Sequence, residues 1–451
     1  MANEQQQTQP QVAIPLPKGK KNAVQIGCIC MMLSVAMYGL VFATLTSPIL
    51  ESVNAMGYVS LFSIFAGMGV SIMTPIGGKL GDLIGRRNIV VIPGIICAVC
   101  GIAFAFVRSL VPLMILRLLI GFAQGAFTAA PYIIAGLINE RKDVPKAMGM
   151  LATAIAVGGF GGSIIAGILT DMGLLKVAIL MPAVPLILGV VLIGMNMPNV
   201  KREGKVAIDV PGIIALVVAL AGILLALNFG SSMGWGNPMI IAGFVIGIVA
   251  LVVLVKIEGK SAEPLIPLKL FKNSQYTVLL IIGFICYFYQ SAMNVYAPIG
   301  AMKVMGASTS AAGALQMPRT IITIFLPTMA VMGFTTPSTS IIIYFVALAI
   351  TGIAESYRSV SITPSAQATL QPADMGVGTS LVNFVNSLAN TIAAAVFGAA
   401  YNLSTAADPT NVAYIQNGVN SVFRLAAIVA VIGLVLVIFV VRPKMTAKKA
   451  E

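Results

Sequence analysis

Glu355 and Arg358 lie three residues apart in the apolar stretch Gly352-Ile353-Ala354-Glu355-Ser356-Tyr357-Arg358. On a helix that spacing puts carboxylate and guanidinium on one face, close enough to pair. Glu355 is the only acid near the middle of an apolar run. An acid placed there can change protonation and so couple a proton to the movement of another solute, with Arg358 holding it ionised until the two separate. A static pair that only neutralises itself is the alternative. Arg117 is a third ionisable group inside an apolar run. Its guanidinium does not lose its proton, so it must face a cavity or partners, or snorkel to the nearer surface. A further cluster is Gly78-Lys79-Leu80-Gly81-Asp82-Leu83-Ile84-Gly85-Arg86-Arg87. Its glycines allow two helix ends to approach, and Asp82 among three cations can clamp neighbouring helices at a membrane face.

Other chemistries are excluded by what the chain lacks. It has no histidine, no clustered carboxylate pair and no metal-ligand spacing, so a membrane enzyme, a metal site and a cofactor are not expected. No Gly-Lys-Ser/Thr phosphate loop is present, which removes ATP as the energy source. The five cysteines sit in apolar runs and read as reduced small hydrophobes, the Cys97-x-x-Cys100 pair included. A net charge of +13 would suggest nucleic acid in a soluble protein, but the charges lie at the ends of apolar runs. With 58% hydrophobic and 9% charged residues, most of the surface must face a lipid bilayer.

Those groups must therefore be carried by membrane helices. Apolar runs of about 20 residues, the length that crosses a bilayer, recur throughout. They are expected near Ala23–Thr44, Tyr58–Gly77, Ile89–Arg108, Leu110–Ile138, Ala147–Thr170, Lys176–Met197, Val210–Gly230 and Pro238–Ile257. Others follow near Tyr276–Gly300, Thr309–Gly333, Ile341–Pro364, Gly376–Tyr401 and Asn420–Val441, making about thirteen. The loops after the second, fourth, sixth and eighth spans are basic, as is the tail around Lys18, Lys20 and Lys21. This places the N-terminus in the cytoplasm of a plasma-membrane protein. Thirteen spans would leave the basic C-terminal tail outside. Either one helix and a loop, about 35 to 40 residues at ~1.5 Å rise per residue plus a turn, are missing near Ala330–Met332, or Ser308–Phe334 is a re-entrant or broken segment.

The Gly78–Arg87 cluster resembles the loop between the second and third helices of major facilitator superfamily transporters, where it acts as a conformational switch. Arg117 with Gly121, Gln124 and Gly125 resembles that superfamily's fourth-helix motif. Gly158, Gly162, Ser163 and Gly167 resemble the fifth-helix motif of drug:proton antiporters, with Ser163 in place of the usual proline. Two extra spans before Pro264-Leu265-Ile266-Pro267-Leu268-Lys269-Leu270-Phe271, and the segment Met305–Pro318, resemble the fourteen-helix multidrug-resistance branch. The resemblance implies an all-α polytopic membrane protein of two six-helix halves with an extra central pair. The expected divisions are a tail at 1–22, a first half at 23–197, the extra pair with linkers at 198–275, a second half at 276–441 and a basic tail at 442–451.

The resemblance also implies a substrate cavity between the halves. Tyr287, Gln290 and Asn294 would line it from one face of the ninth span, with Tyr289 and Tyr296 on the neighbouring face and Arg319 nearby. Interhelical hydrogen bonding is the alternative role for each. Three functions stay open: proton-coupled export of amphipathic small molecules or drugs, uptake of amphipathic organic anions such as bile acids, and a deletion variant without transport. Arg117, Arg319 and Arg358 against Glu355 tilt the interior toward anions, and the first helix lacks the aspartate common in the antiporters. A monomer is expected, with protons and one small-molecule substrate as partners.

Overall fold

In hydrocarbon each crossing segment must close its own backbone hydrogen bonds, and this chain does so as helices. The computed structural model describes residues 14, 16–140, 143–201, 209–261, 264, 266–314, 366, 369–370 and 375–436. Among them, ten helices are long and apolar enough to cross a membrane, and a shorter apolar helix, Asn88–Phe104, joins them. These coincide with eleven of the expected spans. The remainder of the span expected from Thr309, the span at 341–364 and the expected gap near 330–332 lie outside the described residues.

The first half comprises α1 (Lys18–Thr44) with its short continuation α2 (Thr46–Glu51), α3 (Val59–Ile84), α4 (Asn88–Phe104) and α5 (Leu110–Phe127), which continues as α6 (Ala130–Ile138). It then runs through α7 (Val144–Ala156) and α8 (Gly162–Asp171), joined by a π-helical turn at Val157–Gly161, to α9 (Leu175–Leu180) and α10 (Ala183–Asn196). The extra pair is α11 (Val210–Met233) and α12 (Pro238–Glu258). The second half contains α13 (Ser274–Lys303), α14 (Thr309–Ala314), α15 (Met375–Thr405) and α16 (Val412–Leu436).

Two boundaries differ from the sequence reading. Gly78–Ile84, expected in a loop, completes α3, because Leu80 and Ile84 still pack on the core; only Gly85–Arg87 separates α3 from α4. The last span starts at Val412 rather than Asn420. There the Asn411 carboxamide oxygen accepts from the Ala413 amide at 2.9 Å, a side-chain cap that sets the helix start.

One apolar cluster joins both halves: Met31, Phe42, Phe104 and Phe127 belong to it with Phe288, Tyr296, Phe397 and Phe423. A second cluster places α11 in the groove between α3 and α15, through Leu216, Leu220 and Leu224 against Ile64, Met68, Leu381 and Phe384. α12 packs against α11 and reaches this cluster through Leu254 and Ile257, while Ile241, Val245, Ile248 and Val252 are exposed, the expected state of a lipid-facing helix. The halves meet along α3 against α15 and along α8 against α14.

Candidate functional site

The short connection after α3 is held by groups on two sides. Gly85 has φ +99°, a conformation that side chains disfavour, and a Cβ there would lie 2.1 Å from the Asn199 carboxamide oxygen. Asn199 donates to the Ile84 carbonyl at 2.8 Å, and the Arg86 amide donates to the Val200 carbonyl at 2.8 Å. Arg86 also pairs with Asp82 one turn earlier in the chain. Gly78 lies in the penultimate turn of α3, and Arg87 reaches the Asn88 carboxamide at 3.4 Å. The connection is thus seated on the segment that leaves α10 toward the extra pair. Asn199 was not singled out from the sequence; its only signal is a polar residue directly after a helix-ending Met-Pro.

Arg117 is buried, with 6% of its surface exposed. Its guanidinium carbon lies 4.6 Å from the centre of the Phe42 ring and 4.8 Å from that of Phe62. Cation–π attraction replaces part of the lost hydration. No carboxylate among the described residues ion-pairs with it, and its Nε has no hydrogen-bond partner. Phe42 in turn packs against Tyr38 and Phe104. The arginine therefore points into the first half and does not snorkel. Gly121 and Gly125, on the same helix, allow α5 to touch the backbone of α3 at Ala66 and Val70.

Along α7–α8 the small residues serve two different contacts. Gly158 and Gly162 face α1, where a Cβ on Gly158 would lie 2.4 Å from the Leu33 carbonyl oxygen. Ser163 and Gly167 face α14 across the seam. A Cβ on Gly167 would lie 2.5 Å from the Thr309 carbonyl oxygen, and one on Gly313 the same distance from that of Ser163. The Ser163 hydroxyl donates to the Gly159 carbonyl at 2.7 Å, leaving its surface to pack. At the end of α8 the Asp171 carboxylate accepts from the Thr309 and Ser310 amides, both at 2.8 Å, so one half caps a helix of the other. Glu51, after α1, pairs with Lys303 at the end of α13, again across the halves. Asp171 and Glu51 were not singled out in the sequence, where each reads as an ordinary charge at a span end.

Tyr287, Tyr289, Gln290 and Asn294 are half-buried along the middle of α13, while Tyr296 is buried against Tyr401. Arg319, Glu355 and Arg358 lie outside the described residues. Within them, no group of three metal-ligating side chains gathers.

The Major Facilitator Superfamily profile matches residues 26–325. Multidrug transporter protein MdtP of Bacillus subtilis is 25% identical over 416 residues, which span 85% of this chain and 76% of that protein. Multidrug resistance protein 3 of the same organism is 24% identical over 416 residues, covering 83% and 78%. A solved structure of a bacterial homologue of the human lysosomal transporter Spinster, inward-facing and occupied, superposes with a TM-score of 0.64 at 13% identity, covering 94% of this chain and 98% of that one. A bundle whose halves meet along two helix pairs with a charged turn after its second span, matched by that profile over most of its length, belongs to one group: this chain is a membrane transporter of the Major Facilitator Superfamily.

Proposed function

We propose that the chain is a secondary active transporter of the plasma membrane that exports amphipathic small molecules in exchange for protons. The observation that carries this is the aromatic and amide face of α13, Tyr287, Gln290 and Asn294, half-buried at mid-span. Aromatic rings with a few hydrogen-bonding groups suit solutes that are apolar at one end and polar at the other. The names of the multidrug relatives support the same substrate class. In this reading the N-terminus and basic loops are cytoplasmic, and the contacts at Glu51 and Asp171 close the outer face of a monomer. Asp82, Gly85, Arg86 and Arg87 switch with Gly78, and Gly158, Gly162, Ser163 and Gly167 are the surfaces on which helices slide. Glu355 carries the proton, paired with Arg358, and Arg117 and Arg319 set the potential of the cavity.

The test is transport into and out of proteoliposomes under an imposed pH gradient, with a fluorescent amphipathic cation and a bile acid as probes. Gradient-driven movement of the cation that is lost in Glu355→Gln is the expected result; movement indifferent to the gradient or to that substitution overturns proton coupling through Glu355. The second reading, uptake of organic anions, is favoured by a buried Arg117 with no carboxylate partner among the described residues. Accumulation of the bile acid with no movement of the cation would select it. Movement of neither by monodisperse protein would select the inactive deletion variant. A cysteine beside Lys448 labelled from outside intact cells would place the C-terminus there and support the missing helix.

A further inference from the structure

The extra pair does not lie apart from the moving halves. α11 occupies the groove between α3 of the first half and α15 of the second, and its buried Asn228 sits near the end of the helix remote from the basic loops. There the Ser60 hydroxyl of α3 donates to the Asn228 carboxamide oxygen at 2.7 Å. The same Ser60 oxygen accepts from the Asn402 carboxamide of α15 at 3.1 Å. One serine thus joins three helices that belong to the first half, the second half and the extra pair. α3 and α15 are in contact at this level: a Cβ on Gly398 would lie 2.2 Å from that of Ser60. Further in, Ser71 and Thr391 bond at 3.0 Å and continue the same seam.

Ser60 and Asn228 are buried and Asn402 partly so; buried polar groups keep their partners where water does not replace them, so this chain of bonds is one unit. Opening the outer face requires α3 and α15 to part at Ser60, which breaks the bond from Asn402, while Asn228, by accepting the Ser60 proton, keeps the serine oxygen turned to accept that bond. We propose that Asn228 is a positioning residue through which the extra helix pair holds the outer ends of the two halves together, biasing the carrier toward the outer-closed state seen here. Its consequence for transport rests on the transporter reading above, but its test does not require transport.

Spin labels at Ser52→Cys and Ala406→Cys, in a protein otherwise free of cysteine, report the separation of the exposed outer loops of the two halves by pulsed dipolar spectroscopy. In the parent a single short-distance population is expected to dominate. Asn228→Ala is expected to raise the ratio of long to short distances about fivefold, the effect of one lost hydrogen bond. Ser60→Ala and Asn402→Ala should act in the same direction, and Ser60→Ala with Asn228→Ala should exceed neither single variant by much, since both remove one network. Should Asn228→Ala fail to yield monodisperse protein, Asn228→Ser, too short to reach Ser60, is measured in its place with the same expectation. An unchanged ratio in the Asn228 variant while Ser60→Ala or Asn402→Ala raises it would overturn the proposal, placing the closure in α3 and α15 alone. So would additive effects of Ser60 and Asn228, or no change in any variant.

Discussion

At the basic end of the molecule, the hydrogen bonds that fix the turn after α3 run from Ile84 and Arg86 to Asn199 and Val200, on the segment that leaves the first half, and not to the second half. At the opposite end the corresponding bonds cross between halves: Glu51 to Lys303, Asp171 to Thr309 and Ser310, Ser60 to Asn402. One end is a hinge-like fitting that keeps its own half in shape. The other is a set of clasps that must be undone for the halves to separate there. The charges in both places are of ordinary kinds, so what distinguishes them is which helices the partner groups come from.

The difference can be broken most forcefully at Gly167. Replacing it with leucine puts a branched side chain where even a Cβ would be 2.5 Å from the backbone of Thr309, and nothing but movement of α14 relieves it. Gly167→Leu is expected to hold the ends remote from the basic loops apart, lowering transport about tenfold or more and shifting the spin-label distance to the long population, a cost of ~1.4 kcal/mol or above. Gly85→Ala tests the other end. The positive φ and the contact with Asn199 should cost about 1–3 kcal/mol, read as a lower unfolding midpoint in detergent. If the comparison is right, the outer-loop distance stays as in the parent; a shift toward the long population would show that the two ends are not separable.

How much of this was visible in the residues alone follows from the range of each signal. Eleven apolar spans could be read because a bilayer requires about 20 apolar residues in a row, a local property. The end of α3 was misplaced because glycines and charges mark turns in water-facing chains, while packing of Leu80 and Ile84 prolongs the helix here. Arg117 could be identified as a buried cation, but not that Phe42 and Phe62 would sandwich it, since those rings come from two other helices. Asn199, Asp171 and Asn228 escaped notice for the same reason: each is an unremarked polar residue near a helix end, and only its partner, more than a hundred residues away, gives it a role.

A smaller effect is expected at Asp171. Asp171→Ala removes both acceptors from the Thr309 and Ser310 amides, whereas Asp171→Asn keeps one oxygen and loses the charge. The alanine variant should favour separation of the halves at this end about fivefold, consistent with the loss of about 1 kcal/mol, and the asparagine variant should lie between it and the parent. Equal behaviour of the two would assign the effect to charge rather than to capping. Either way the unfolding midpoint should change little, because Asp171 is exposed and its removal leaves no cavity.

The smallest effect belongs to Glu51 and Lys303. Their side chains keep 44% and 28% of their surface exposed, so water and salt screen the pair and two long side chains must be ordered to form it. Glu51→Gln is expected to change the closed-to-open ratio by a factor of about two or less, within the range of exposed ion pairs, ~0.2–1 kcal/mol. The parent's ratio should itself drift toward that of the variant as salt is raised, while the Asp171 and Ser60 contacts, made to backbone amides and to uncharged side-chain amides, respond less. A Glu51→Gln effect as large as that of Asp171→Ala, and insensitive to salt, would mean the pair is sheltered in the working protein and that the outer clasp is chiefly electrostatic rather than a matter of capping and buried hydrogen bonds.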